Sequence, residues 1–150
     1  MQVSQIAQVP PPSVKPTAMV DEAVRVMQNA RGGAVVITDQ RRPAGMFTER
    51  DVLLRVVAAS KDPKTTLVRE VMTSSFETIP ADTDAIPADT DAIRALEIMV
   101  SRHIRHLPLV DAKGRLVGLV SMRNILLNYM DALRGSLEQG TRNKEHGTGK

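Results

Sequence analysis

The chain has 150 residues, 42% of them hydrophobic, and carries a formal net charge of +3 at pH 7. That apolar content is enough to bury one compact core, or two small cores that share an interface. Because the chain has no cysteine, a disulfide framework, a thiolate metal site and a cysteine nucleophile are all excluded.

A secreted or membrane-inserted protein is not expected. Residues 1–16 lack a basic start followed by an apolar stretch, and no run approaches the ~18 apolar residues that span a bilayer. We therefore expect a cytoplasmic location and no membrane segment.

Residues 134–150 carry +2 of the net charge, and the chain has one tyrosine, two phenylalanines and no tryptophan. Without a basic face interleaved with aromatic residues, nucleic acid is not an expected partner.

The first half of the chain reads as a β-α-β-β-α unit. A short extended piece at Ser13 and Val14 precedes a helix over Val20–Met27, whose apolar residues recur at i, i+3, i+4 and i+7. Two apolar runs separated by DQRRP then predict a pair of strands, and a second amphipathic helix closes the unit. The predicted strands are Ala34–Ile37 and Ala44–Phe47, and the closing helix carries Val52, Leu53, Val56 and Val57.

The second half repeats this order. GMFTERDVLL in the first half and GLVSMRNILL in the second share a pattern at an offset of 73 residues, and the first helix matches Ala92–Met99 at an offset of 72. The preceding extended piece matches Thr78 and Ile79 at an offset of only 65. The remaining predicted elements are strands at Leu107–Val110 and Leu116–Val120, and a helix carrying Ile125, Leu126, Tyr129, Met130 and Leu133.

A short duplication accounts for the change in offset. PADTDAI occurs twice in direct succession, at Pro80–Ile86 and Pro87–Ile93. We expect the extra seven residues to lengthen the loop before the second repeat's first helix, with Asp89 or Thr90 capping that helix. Residues 6–57 and 68–133 are then two copies of one unit, joined by a linker at 58–67. Residues 134–150 form a polar tail, predicted to be disordered beyond the last helix.

The element order predicts an α/β fold of two β-α-β-β-α repeats. A three-stranded sheet covered by two helices leaves its other face unburied in a unit of this size. We therefore expect the two repeats to pack sheet to sheet.

The sharpest motif is Gly45-x-x-Thr48-x-x-Asp51, where an apolar strand meets a helix. Thr48 as N-cap, together with the first-turn backbone N–H groups, offers a site for a phosphate. Asp51 can accept hydrogen bonds from both hydroxyls of a ribose. The same spacing is also that of a capping box that needs no ligand. The second copy has Ser121 and Asn124 at these positions, so its ribose site is expected to be weaker.

Three phrases resemble those of tandem CBS domains, the cystathionine-β-synthase-type repeat: VREVMTSS, IRHLPLVDAKGRLVGLVS and GMFTERD. The resemblance covers Ile6 to Leu133. It implies a disc with pseudo-twofold symmetry and two clefts, whose usual occupants are AMP, ADP, ATP or related adenosyl compounds. It also implies a homodimer.

The resemblance assigns residues to each cleft. In the principal cleft, Asp51 would hold the ribose, Thr48 would face the phosphate, and backbone around the adenine together with cations from the other repeat would complete the site. The residues implied for the principal cleft are Ser13, Val14, Ala34, Thr48, Asp51, Arg105, His106 and Arg123. Those implied for the weaker second cleft are Arg50, Thr78, Ile79, Ser121 and Asn124.

We therefore expect an adenine-nucleotide sensor whose ligand changes the geometry of the repeats or of a dimer, read by an effector protein that the sequence does not identify. No arrangement of nucleophile and base, and no phosphate-binding glycine loop, points to an enzyme. His103 and His106 lack further ligands nearby, so no metal site is predicted, and no cofactor is required. The alternative is a ligand-free dimerisation or interaction scaffold.

Overall fold

A computed structural model describes residues 1–74 and 85–146, which form two α/β repeats of the same design. The predicted β-α-β-β-α order is confirmed in both. The first repeat contains β1 (Ser13–Val14), α1 (Val20–Asn29), β2 (Ala34–Asp39), β3 (Arg42–Thr48) and α2 (Glu49–Asp51), which continues as a π-helix over Val52–Val57. The second contains β4 (Ile86–Pro87), α3 (Ala92–Arg102), β5 (His106–Val110), β6 (Leu116–Ser121) and α4 (Met122–His146).

Each repeat has a three-stranded sheet, with the orders β1-β2-β3 and β4-β5-β6. The first two strands of each sheet pair in parallel and the last two pair antiparallel. Strands β1 and β3 therefore form opposite edges of their sheet, about two strand spacings or ~9.6 Å apart.

The helical periodicity correctly identified the buried faces of α1 and α3. In the closing helices it was wrong for residues that are exposed: Leu53, Val57, Leu126, Met130 and Leu133. Helix α1 buries Val20, Ala23 and Met27, and α3 buries the corresponding residues of its own stripe. Burial of a valine or methionine side chain contributes about 1.5–3 kcal/mol of transfer free energy, and burial of an alanine contributes less. The two stripes cover one face of each sheet and form the two main cores.

The other faces of the sheets meet, as predicted. A third apolar cluster contains Ala34 and Val36 from β2 and Leu119 from β6, with Met46 and Leu116 packed against it. Because this cluster takes residues from both sheets, the repeats pack sheet to sheet and the clefts lie along that junction.

Each repeat also receives the short 3₁₀ segment that precedes the other repeat. Val3, in the 3₁₀ turn Val3–Gln5, is fully buried in the second core, and its backbone N–H donates to the Thr90 carbonyl at 2.9 Å. Val68, in the turn Val68–Glu70, is fully buried in the first core. This exchange of lead-in segments ties the repeats together.

The strand register shows where the extra seven residues lie. Val14 pairs with Ile37 and Ile86 pairs with Leu109, so the strands keep the offset of 72 that relates the helices. The expectation of a longer loop before α3 is therefore wrong. Strand β4 spans the junction of the two copies of PADTDAI, and the rest of the second copy leads into α3. The seven residues added by the duplication therefore come before β4 in the sequence.

The cap of α3 also differs from the prediction. Asp91, rather than Asp89 or Thr90, is the N-cap: its carboxylate accepts a hydrogen bond from the Ile93 N–H at 2.8 Å. The N-terminal ammonium of Met1 lies 3.3 Å from the same carboxylate. These contacts, led by the Ile93 hydrogen bond, lower the pKa of Asp91.

The predicted disordered tail is wrong for most of its length, because α4 continues from Met122 to His146. Residues 134–146 contain no proline, and Leu137 continues the apolar spacing set by Leu126, Met130 and Leu133. Gly135 and Gly140 reduce helix propensity without ending the helix. The helix thus extends well past the second core.

Candidate functional site

A cavity of about 940 Å³ opens between the two repeats. One wall comes from β3 and the start of α2, and the other comes from the end of α3 and the start of β5. The structure places four of the predicted principal-site residues in the lining of this cavity: Thr48, Asp51, Arg105 and His106.

Asp51 is the buried polar residue of the wall, with 5% of its surface exposed. Its Oδ2 accepts hydrogen bonds from the Thr48 N–H at 3.0 Å and from the Thr48 hydroxyl at 3.2 Å. The Asp51 N–H donates in turn to Thr48 Oγ1 at 3.4 Å. The predicted N-cap is therefore confirmed, and it is a complete capping box.

The other carboxylate oxygen of Asp51 has partners that the sequence did not reveal. Thr73 donates from its hydroxyl to Asp51 Oδ1 at 2.9 Å, and Arg55 Nε lies 3.4 Å from the same oxygen. Arg55 also donates to the Met72 carbonyl at 2.9 Å. Both side chains line the cavity, so Asp51 stands in a polar network at its edge.

Gly45 permits this arrangement. The segment carrying Met72 and Thr73 crosses β3 at Met46, with backbone hydrogen bonds of 2.7 and 2.9 Å between Met46 and Thr73. A Cβ on Gly45 would lie only 2.6 Å from the Met72 sulfur and 3.0 Å from the Thr73 carbonyl oxygen. The glycine of the motif thus serves close backbone approach.

The backbone contribution to an anion site is smaller than predicted. The Thr48 and Asp51 N–H groups are used within the capping box, and the Glu49 N–H donates to the Gly33 carbonyl at 3.0 Å. Three N–H groups of this helix start are therefore already paired.

The basic side chains that line the cavity come largely from the chain that leaves α3. Arg102, His103, Arg105 and His106 all line the cavity, and Arg50 joins them from the first repeat. His103 ends α3 in the left-handed conformation, with φ of 56°, and turns the chain toward β5. Burial lowers the pKa of the half-buried His106; the nearby Glu49 carboxylate opposes this shift and Arg105 adds to it.

Four residues predicted for the principal site do not line this cavity: Ser13, Val14, Ala34 and Arg123. Ser13 and Val14 lie on β1, at the sheet edge opposite to β3, and Val14 is buried in the first core. Ala34 is buried between the sheets. Arg123 is exposed at the start of α4, in the second repeat. Their assignment to a nucleotide site stays a prediction, and Ala34 lies beside Thr48, its register partner on β3.

The residue that occupies the Ser13 position in the second repeat is Ala85, at the offset of 72, and it does line the cavity. Sequence analysis missed it because Thr78 and Ile79 were aligned with this strand. Those two residues lie outside the described part of the chain. The repeat offset in the helices and strands, applied throughout, would have identified Ala85.

Arg50 was assigned to the second cleft but lines the principal cavity. Ser121 and Asn124 do stand together at the second repeat's strand-to-helix junction, where the Asn124 N–H donates to Ser121 Oγ at 3.1 Å. The Asn124 side-chain amide donates to the Ile6 carbonyl at 3.4 Å. Gly33 and Ala34 correspond in sequence to Arg105 and His106 at the offset of 72, so these two basic side chains have no equivalent in the first repeat.

Among the side chains described in residues 1–74 and 85–141, no three His, Asp or Glu groups lie close enough together to hold a metal ion. Over the same residues, no helix combines the length and apolar character needed to cross a membrane.

The family model for the CBS domain matches the chain twice, over residues 3–58 and 68–131. An uncharacterized protein of Methanopyrus kandleri is 32% identical over 107 residues, which make up 71% of this chain and 51% of that protein. The chain therefore spans about half the length of this relative.

Solved structures share the fold. A protein with CBS domains from Burkholderia ambifaria matches with a TM-score of 0.74 and 26% identity, over 87% of this chain and 95% of that one. The CBS domain protein PAE2072 from Pyrobaculum aerophilum, solved in complex with AMP, matches with a TM-score of 0.67 and 30% identity. That match covers 85% of this chain and 97% of the other.

Proposed function

Because the chain belongs to the CBS-domain family, we propose that it is a regulatory module that binds AMP, ADP, ATP or a related adenosyl compound between its repeats. The module catalyses no reaction and requires no cofactor; the nucleotide is its ligand. The observation that carries the proposal is Asp51, a buried carboxylate in the wall of a cavity whose other wall supplies several cations.

Asp51 is suited to hold the ribose. A carboxylate only accepts hydrogen bonds, and the two hydroxyls of a ribose are a pair of donors. The donors now on Asp51 Oδ1 are Thr73 and Arg55, and half of the Arg55 side chain is exposed. Arg55 can therefore move aside while the capping hydrogen bonds of Oδ2 stay in place.

The remaining parts of the cavity fit the ends of the nucleotide. The phosphate would lie among Thr48, Arg105 and His106, where charge-assisted hydrogen bonds are available. The adenine would lie against the apolar part of the wall, which includes Met46, Ala85, Ile104 and Pro108. The AMP complex of PAE2072, at 30% identity, supports this choice of ligand.

The signal requires a second molecule, and α4 suggests a homodimer. Leu126, Met130, Leu133 and Leu137 repeat at spacings of four, three and four residues, and all are exposed, Leu137 by 72%. This spacing forms a seam that a second copy of the same helix can cover. A nucleotide that changes the angle between repeats would then change the angle between subunits, which an effector protein or the dimer itself can register.

A ligand-free interaction scaffold is the second candidate, because the capping box of Thr48 and Asp51 is complete without a nucleotide. The two functions separate in a thermal-shift screen of AMP, ADP, ATP, NAD and S-adenosylmethionine. The proposal expects saturable stabilisation of the wild type by at least one compound, lost in Asp51→Ala. The matched control is Asn124→Ala, which removes the equivalent side chain from the second repeat and should keep the response. No shift at millimolar ligand would favour the scaffold.

A further inference from the structure

The second cleft can be mapped residue by residue from the first. The β-bridge between Met46 and Thr73 has its counterpart between Leu119 and Gln8. Gln8 therefore occupies in the second cleft the position that Thr73 has in the first. At the offset of 72, Ala30 corresponds to Arg102, which lines the opposite wall of the principal cavity.

Gln8 joins these two walls. Its side-chain Nε2 donates to the Ala30 carbonyl at 3.4 Å, and the contact is partly buried. Only the NH₂ end of an amide can donate to a carbonyl, which fixes the orientation of the side chain. In the principal cavity the shorter Thr73 turns toward Asp51 and leaves the space between the walls open.

The Asn124 side chain also has a hydrogen-bond partner within the chain. Its amide donates to the Ile6 carbonyl at 3.4 Å, on the same N-terminal segment as Gln8. That segment fits closely on β6, since a Cβ on Gly118 would lie 3.3 Å from the Ala7 methyl group. The second cleft therefore has its own polar contacts in place of a ligand.

We propose that the Gln8 side chain closes the second cleft, so that the chain binds one nucleotide instead of two. The expected stoichiometry of one nucleotide rests on the proposed function, whereas closure of the cleft by Gln8 does not. It implies that Asn124→Asp does not create a second site unless Gln8 is shortened as well.

Closure is tested without a nucleotide, because the chain has no cysteine and single-cysteine variants give an unambiguous signal. Ser121→Cys places a thiol in the second cleft, and its labelling by an aromatic disulfide reagent is timed with Gln8 and with Gln8→Ala. We expect labelling about five-fold faster with alanine, the population change from losing one neutral hydrogen bond. Thr48→Cys, in the principal cavity, should be unaffected by Gln8→Ala. Equal Ser121→Cys rates with and without Gln8 would overturn the closure.

Nucleotide stoichiometry tests the consequence. Calorimetry with AMP should give one site for the wild type and for Asn124→Asp, and a second, weaker site for Gln8→Thr combined with Asn124→Asp. A second site in Asn124→Asp alone, or its absence from the double variant, would overturn the inference. If the wild type binds no AMP, the proposed function fails, and the thiol experiment still decides whether Gln8 closes the cleft.

Discussion

The Thr73 hydroxyl donates a hydrogen bond of 2.9 Å to the Asp51 carboxylate, across 22 residues of sequence. This bond connects the segment before the second repeat to the site at the end of β3. A carboxylate buried to this degree needs such partners, since an unsatisfied buried charge is strongly destabilising. The polar network of the cavity therefore defines what the proposed nucleotide must displace or join.

Thr73→Val should lower the free energy of unfolding by about 1–3 kcal/mol, because it leaves a buried carboxylate oxygen with one donor fewer. Urea denaturation measures the change. Thr38→Val is the control, since the Thr38 hydroxyl lies 3.5 Å from its Val14 carbonyl acceptor and contributes little. An equal effect of the two substitutions would contradict the structural importance of the Thr73 bond.

Arg105→Ala should weaken AMP binding about ten-fold or more, because it removes a charge-assisted contact to the phosphate, worth roughly 1.5–3 kcal/mol. Arg123→Ala should leave the affinity unchanged, since Arg123 does not line the cavity. Calorimetry at two salt concentrations compares them. The sequence resemblance alone places both arginines in the site, so equal losses would favour that assignment over the observed geometry.

AMP affinity should rise as the pH falls through the pKa of His106 in the complex toward its lower pKa in the free protein. Burial keeps the free His106 neutral, whereas a nearby phosphate favours the imidazolium and raises its pKa. Binding then takes up a proton. His106→Gln should flatten the profile, and His103→Gln controls for the other cavity histidine. A profile unchanged in His106→Gln would rule out this coupling.

His106 also affects stability without ligand. Its pKa in the folded chain is lower than in the unfolded chain, so the unfolded state binds more protons below the ordinary value of 6.5. Stability associated with the neutral imidazole is fully present above that pH and is lost as the pH falls toward the folded-state pKa. Thermal unfolding of His106→Gln should show a smaller loss over this window than the wild type; an identical loss would contradict the assignment.

Leu133→Glu combined with Leu137→Glu should shift the proposed homodimer toward monomer, because each charge would enter the apolar seam of α4. Sedimentation velocity measures the change. Gln139→Glu adds a charge to the same helix outside the seam and should leave the assembly intact. A wild-type monomer, or a charged variant that assembles normally, would show that this face is not the subunit contact.

Local pattern was sufficient to predict the helices, the hairpins and the Thr48 cap, because each depends on residues close in sequence. The sheet-to-sheet packing was predicted from the repeat, because two helices cover one face of a three-stranded sheet and leave the other face for the second copy. The extension of α4 past residue 134 was not predicted, because residues 134–150 are mostly polar. Leu137 nevertheless continues the apolar spacing of the helix, and no proline ends it.

The cavity wall was harder to predict, because it depends on sheet order and on contacts between distant segments. Motif similarity identified Asp51 and Arg105 but could not show that Ser13 lies at the opposite sheet edge. The partners Thr73 and Arg55 carry no motif. Thr73 becomes visible only when the lead-in segment is seen to cross β3 at Met46.

The central claim is that an adenine nucleotide lies in the cavity built on Asp51. A crystal structure of the chain with AMP tests it most directly. The account predicts both ribose hydroxyls within hydrogen-bonding distance of the Asp51 carboxylate, at about 2.5–3.0 Å, and the phosphate beside Arg105 and His106. AMP bound elsewhere, or an empty cavity at saturating AMP, would contradict it.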